Sequence, residues 1–159
     1  MIDGPYFVLT VLGVLACGLT AGAFVAFSAF VMRGLAALPP AQGIAAMNSI
    51  NVTAVGPAFM AVFLGATGLC AVLAVVTFVL WPEDGTVELL LGSALHLFGS
   101  FGVTVAANVP RNDALAEVDP RSAEGAAYWR TYVREWTAWN HVRGAASLAA
   151  AACFLLALT

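Results

Sequence analysis

Few residues in this chain can do chemistry, and most of them sit in one stretch. From Tyr128 to Arg143 the sequence reads YWRTYVREWTAWNHVR, with three of the four tryptophans, two of the three tyrosines, three of the six arginines and one of the two histidines. At about 100° per residue on a helix, Trp129, Tyr132, Trp136, Asn140 and Arg143 fall within about 80° of one another. An asparagine and an arginine that share a stripe with aromatics and continue it into the membrane suit one wall of a ligand site at the mouth of a helix bundle. Arg130, Arg134 and His141 fall on a different face, so only a bend in the helix would bring His141 and Arg143 to one pocket. The competing account of the aromatics is an interfacial belt that anchors an amphipathic helix.

The other histidine, His96, lies midway along an apolar run. An ionisable group at that depth is costly and marks a candidate site, although a neutral histidine bonded to a neighbouring helix is the structural alternative. Ser93, Ser100 and Thr104 share its helical face, and Asn108 lies at that face's edge, roughly 18 Å away along the axis. His96 and His141 are the candidate bases, because histidine titrates near neutral pH. Asn108 and Asn112 bracket Pro110 in NVPRN, where the proline is expected to stop the helix and hold Val109 extended. Asn48 and Asn51, three apart in MNSIN, share a face and serve either as caps or as site residues.

The elements that must position these groups are membrane spans. The chain has 159 residues, is 62% hydrophobic and 9% charged, and has a mean hydropathy of +0.93, against about 25% charged residues in soluble proteins. Apolar runs near 5–32, 52–81, 87–107 and 139–158 each approach the roughly 20 residues needed to cross the hydrocarbon. The expected fold is therefore all-α: an integral membrane four-helix transmembrane bundle forming one domain over 1–159. A short helix after Pro40 precedes span two, and an amphipathic helix beginning at Asp119-Pro120 leads into span four. Pro57 is expected to loosen the first turns of span two. Gly18 with Gly22, and Ala61 with Gly65, are small pairs that let helices approach.

All six basic residues fall in or beside the loops after spans one and three. The positive-inside rule then makes those loops cytoplasmic and puts both termini outside, in the cell (plasma) membrane. The cytoplasmic ends of the spans ring one mouth with Arg33, Asn48, Asn51, Asn108, Asn112, Asn140 and Arg143. Asp3 and the length of the first run argue against a cleaved signal peptide. Cys17, Cys70 and Cys153 stand singly in different spans and read as small core hydrophobes, with no redox pair. Two histidines on different helices, with no carboxylate inside a span, are a poor set for iron or zinc. No cofactor is expected, with a metal or a haem held by His96 and His141 as the minor alternative. A net charge of −3 without a basic run excludes nucleic acid as a partner. The partners implied are the lipid bilayer, a small hydrophobic aromatic ligand and a possible homo-oligomer.

MNSIN, NVPRN and W-x6-W-x2-W-N-H-x-R, in this order and on four apolar runs, resemble the anthrone-oxygenase-like family of small four-span membrane proteins. The resemblance implies an oxygenase that converts a reduced polycyclic anthrone to its quinone with molecular oxygen. It also implies a site drawn from Asn108, Pro110, Asn112, Trp136, Asn140, His141 and Arg143. Taken together with the resemblance, His96, His141 and Arg143 are the catalytic candidates, and Asn108, Asn112, Trp129, Tyr132, Trp136 and Asn140 the substrate-binding ones. The alternative function is a non-catalytic membrane module that binds a lipid or hydrophobic ligand, or docks a partner complex.

Overall fold

The computed structural model of the chain describes residues 2–159, and among them there are helices and no strand. Five helices follow in order: α1 Gly4–Ala36, α2 Pro40–Ala54, α3 Pro57–Leu80, α4 Thr86–Glu117 and α5 Ala123–Leu156. Helices α1, α3 and α4 are each long and apolar enough to cross a membrane. Their outward faces carry Leu15, Leu19, Phe30, Val75, Phe78 and Phe98, all exposed, which suits a hydrocarbon solvent and would be costly in water.

The fourth expected span falls on the second half of α5, which is not among the helices apolar enough to cross a membrane by length and composition. This helix has 34 residues and is about 50 Å long, longer than the roughly 30 Å hydrocarbon layer. Its apolar part begins only after Asn140 and Arg143. Helix α5 is the centrepiece: it packs along α1 and α4, while α3 closes the bundle against α1 and α4. Helix α2 lies across one end, against α1, α4 and α5. We call this the polar end.

Two apolar cores flank a polar layer. Away from α2, Cys17, Cys70, Leu73, Leu89, Ala150 and Phe154 form one core. Phe154 is seated close to two glycine backbones, because a Cβ on Gly13 would stand 3.1 Å from its ring and one on Gly92 would stand 2.8 Å from it. Beneath α2, Met32, Leu35, Ile44, Met47, Leu115, Trp129, Tyr132 and Trp136 form the other. Between them lie Ser28, His96, Ser100, Asn140, Arg143 and Ser147, all buried.

Several local expectations change. Val52 belongs to α2, and α3 starts at Pro57 after a break at Val55 and Gly56. There the proline occupies the first helical turn, where its missing N–H costs nothing, so it kinks no span. Pro110 does not stop its helix: α4 continues to Glu117, and Val109 is helical at φ −60°, ψ −51°. The tolerance comes from wide π turns at Leu95–Gly102 and Thr104–Asn108, which loosen the ladder that a proline would otherwise break. Helix α5 starts at Ala123 and not at Pro120. Ser122 is its cap and accepts from the Gly125 N–H at 2.8 Å, whereas Asp119 Oδ1 takes the Arg121 N–H at 3.0 Å. Gly18, Gly22 and Gly65 bring no helix close within the chain, since a Cβ on any of them would meet nothing within 4 Å.

Candidate functional site

The π turns matter because they realign α4. A turn closed by i→i+5 bonds is wider than the α turn of about 3.6 residues, so a helix that mixes them repeats roughly every four residues. His96, Ser100, Thr104 and Asn108, spaced by fours, therefore run down one side facing α5. Three of the four are fully or almost fully buried, and Thr104 is half-buried. A third π turn, Phe27–Val31 on α1, sits where Asn140 reaches across from α5. The Asn140 amide donates to the Phe24 carbonyl and to Ser28 Oγ, both at 2.7 Å. A side chain inserted into the backbone ladder in this way is a known cause of such distortion.

Arg143 is the centre of the polar layer. It is 5% exposed, and its guanidinium donates to Asn140 Oδ1 at 2.6 Å and to Thr104 Oγ1 at 3.2 Å. The Phe24 ring lies 4.2 Å from its Cζ and the Trp136 ring 5.2 Å. Aromatic faces attract a cation, but they do not neutralise it. Among the described residues the ion pair that forms is Arg111–Glu135, 3.0 Å apart and partly exposed. Arg143 has only neutral partners, and its Nε has no partner in the structure.

Toward α2 the layer becomes aromatic and amidic. Trp129, Tyr132 and Trp136 are buried and stack in a row, with centroids 5.6 and 6.4 Å apart. Their faces meet one another, so the row is filled by its own members. Asn112 holds it from α4, its single Oδ1 accepting from Tyr132 OH and Trp136 Nε1, each at 2.8 Å. Asn108 Nδ2 donates to the Trp136 carbonyl at 3.3 Å. Close burial ties α2 to this row, because a Cβ on Gly43 would stand 2.7 Å from Trp129. Asn51 of α2 lies beside the Tyr132 phenol without a hydrogen bond to it. Three further buried atoms lack partners here: Asn48 Oδ1, Asn51 Nδ2 and Asn108 Oδ1. Buried polar atoms are nearly always satisfied, so orphans gathered at one end invite a polar guest.

His96 lies at the other side of the layer and does not touch Arg143. Its Nε2 stands 3.3 Å from Thr67 Oγ1, and its Nδ1 stands 3.5 Å from both Cys17 Sγ and Ser147 Oγ. Ser147 donates onward to Ser100 Oγ at 2.9 Å, while Thr104 donates to the Ser100 carbonyl at 2.8 Å. Ser147 beside the histidine and Thr104 beside the arginine thus both meet Ser100, through different atoms, and no unbroken chain of hydroxyls joins His96 to Arg143. Cys17 and Cys70 approach to 3.6 Å beside His96. Read along the sequence they were single core thiols, but the fold makes them a pair. Only the helix register could have revealed this, because α1 and α3 contribute one cysteine each.

His141 is exposed. Helix α5 is unbroken through Trp139 to Arg143, so the bend that would bring His141 beside Arg143 is absent. Instead it lines an open groove of about 350 Å³ with Ser28, Arg33, Arg134 and Thr137. Arg130 and Arg134 are exposed on that same side of the helix, opposite the buried stripe. The structure thus gathers Asn108, Asn112, Trp129, Tyr132, Trp136, Asn140 and Arg143 into one buried assembly, leaves His96 beneath it and puts His141 outside. Asn48 and Asn51 join the assembly.

In the comparisons with known proteins, no curated protein and no solved structure matched this chain. A family model described as anthrone oxygenase matches residues 59–153, more than half of the chain.

Proposed function

The chain belongs to the anthrone oxygenase family, and from that premise we propose that it is a membrane-embedded oxygenase for a lipophilic polycyclic aromatic or quinol-type substrate. The observation that carries the proposal is Arg143, a buried cation whose partners are all neutral and whose Nε is unpaired. A lone buried charge is unfavourable, and an anionic guest would relieve it. Anthrones supply one: loss of a proton from the carbon opposite the carbonyl leaves the negative charge largely on oxygen. Arg143 Nε and Asn51 Nδ2 offer donors, and Asn48 Oδ1 and Asn108 Oδ1 offer acceptors. An oxyanion flanked by a phenolic O–H matches that mixture in kind.

The reaction balances without further reactants. The ionised substrate passes electrons to O2, a carbon–oxygen bond forms, and the resulting hydroperoxide loses water to leave the quinone carbonyl. One oxygen atom is kept and the other departs as water. Arg143 favours the first step by stabilising the oxyanion, so the proton leaves to solvent at the mouth. Neither candidate base contacts Arg143: His96 is engaged below, and His141 faces the outer groove. By the distribution of arginines this mouth faces the cytoplasm of the plasma membrane.

The test is oxygen uptake by purified protein in nanodiscs with a hydroxyanthrone, corrected for autoxidation. Arg143→Gln should lower the rate about 100-fold or more, the usual cost of one oxyanion donor, whereas His141→Ala should leave it near wild type. Retained tryptophan fluorescence and a monodisperse elution profile would show that the variants fold. Equal rates in wild type and Arg143→Gln would overturn the assignment. A second reading is favoured by the groove lined with Arg33, Arg134 and His141, which suits an anionic lipid headgroup in a non-catalytic module. Wild-type uptake no faster than autoxidation, with anionic lipid retained through purification, would support it.

A further inference from the structure

Three helices bring one ligating side chain each to a single buried point. Cys17 of α1, Cys70 of α3 and His96 of α4 are all 0% exposed, and their ligand atoms lie within 4.8 Å of one another. We propose that they form a metal site for a thiolate-seeking d10 cation, Zn2+ or Cu+, held by Cys17 Sγ, Cys70 Sγ and His96 Nδ1. The inference does not rest on the oxygenase reading.

The spacing fits such an ion. Metal–sulfur bonds of about 2.3 Å and metal–nitrogen bonds of about 2.0 Å at tetrahedral angles put sulfur–sulfur near 3.8 Å and sulfur–nitrogen near 3.5 Å. The structure has 3.6 Å between the sulfurs and 3.5 Å from Cys17 Sγ to His96 Nδ1. Soft thiolates with an imidazole select zinc or cuprous ions over harder cations.

The histidine's orientation is set by its other nitrogen. Thr67 donates its one hydroxyl proton to the Phe63 carbonyl at 2.8 Å, so toward His96 Nε2 it can only accept. The ring proton therefore sits on Nε2, and the Nδ1 lone pair faces the sulfurs. Metal-bound histidines are typically held through their second nitrogen in this way. Ser147 has already given its proton to Ser100, which leaves Nδ1 free of that donor.

Charge favours Zn2+ of the two, since Cu+ with two thiolates would leave one net negative charge. When a divalent ion binds, both thiols release their protons and two thiolates cancel its charge, so the filled site is neutral in an apolar interior where net charge is costly. Three protein ligands also leave one coordination position open, the arrangement found where a metal binds a small molecule.

The experiment uses the full chain in detergent, in a Cys153→Ala background so that only the paired cysteines remain. Metal content is measured after purification and after addition of Zn2+, or of Cu+ under anaerobic conditions, and Co2+ serves as the spectroscopic probe. The expected result is one ion per chain with a cobalt–thiolate charge-transfer band. The band should be lost in Cys17→Ser and in Cys70→Ser. Thr67→Val should keep it but weaken binding about 10- to 100-fold, the usual effect of removing a ligand's outer partner. No bound metal while both thiols react freely with maleimide after unfolding would overturn the proposal, as would a Cys17–Cys70 disulfide in protein purified with or without reductant. Loss of oxygen uptake with metal binding intact would instead count against the oxygenase reading alone.

Discussion

Asn112 offers the sharpest test of how the aromatic row is held. Its Oδ1 accepts two hydrogen bonds of 2.8 Å, from the Tyr132 phenol and the Trp136 indole, and those rings are 1% and 5% exposed. Asn112→Ala removes one acceptor and leaves two buried donors unpaired. Each orphaned group costs about 1–3 kcal/mol, so the variant should lose about 2–6 kcal/mol. At about 2–4 °C per kcal/mol for a chain of this size, unfolding in mild detergent should shift down by about 4–24 °C. Asn112→Asp keeps an acceptor oxygen in the same place and should stay close to wild type. Unfolding followed by tryptophan emission reads the effect directly, because Trp136 would lose its partner. If the alanine and aspartate variants melt together, or if neither shifts, then the shared acceptor does not hold the row.

Two further outcomes follow from neighbouring contacts. Gly43→Ala drives a Cβ to 2.7 Å from Trp129, and overpacking of this kind costs about 1–3 kcal/mol. Gly68→Ala meets nothing within 4 Å and should be neutral or stabilising by up to about 1 kcal/mol through helix propensity; a pair of melting curves decides both. Burial, the largest cause, holds the Tyr132 phenol above its ordinary range. The folded state thus favours the neutral ring, and stability is lost as pH rises above about 10, where the unfolded phenol ionises. Tyr132→Phe should flatten that alkaline loss in a pH series of melting curves, and an unchanged alkaline limb would count against it.

Much of the fold was legible because membrane spans are written in composition. Long uncharged runs gave the helices, and one angle calculation separated the buried stripe of Trp129, Tyr132, Trp136, Asn140 and Arg143 from the exposed Arg130, Arg134 and His141. The limits were local and had physical causes. Pro110 read as a stop because regular α geometry was assumed, and the π turns before it remove the conflict. Asp119-Pro120 read as a helix start, but Ser122 captured the cap. The approach of Cys17 to Cys70, with 52 positions between them, depends on the relative rotation of two helices, which no local pattern encodes. Asn108 stands at the edge of the His96 face on a regular α-helix and joins that face only because the segment between them is wound more loosely.

That looser winding has a consequence for how related chains should be aligned. Each wide turn accommodates an added residue without changing what precedes or follows it, so span three is a place where two chains can differ by a single insertion and still superimpose at both ends. A chain lacking one residue between Leu95 and Gly102 would keep its apolar character and its length within the bilayer. Because losing one residue returns a wide turn to an ordinary one, the counterparts of Thr104 and Asn108 would still face Arg143 and Trp136, but one position earlier in the chain, and an ungapped alignment would miss them. Sequence identity over this span is therefore a poor guide to a shared site, and the position of a one-residue gap is a better one.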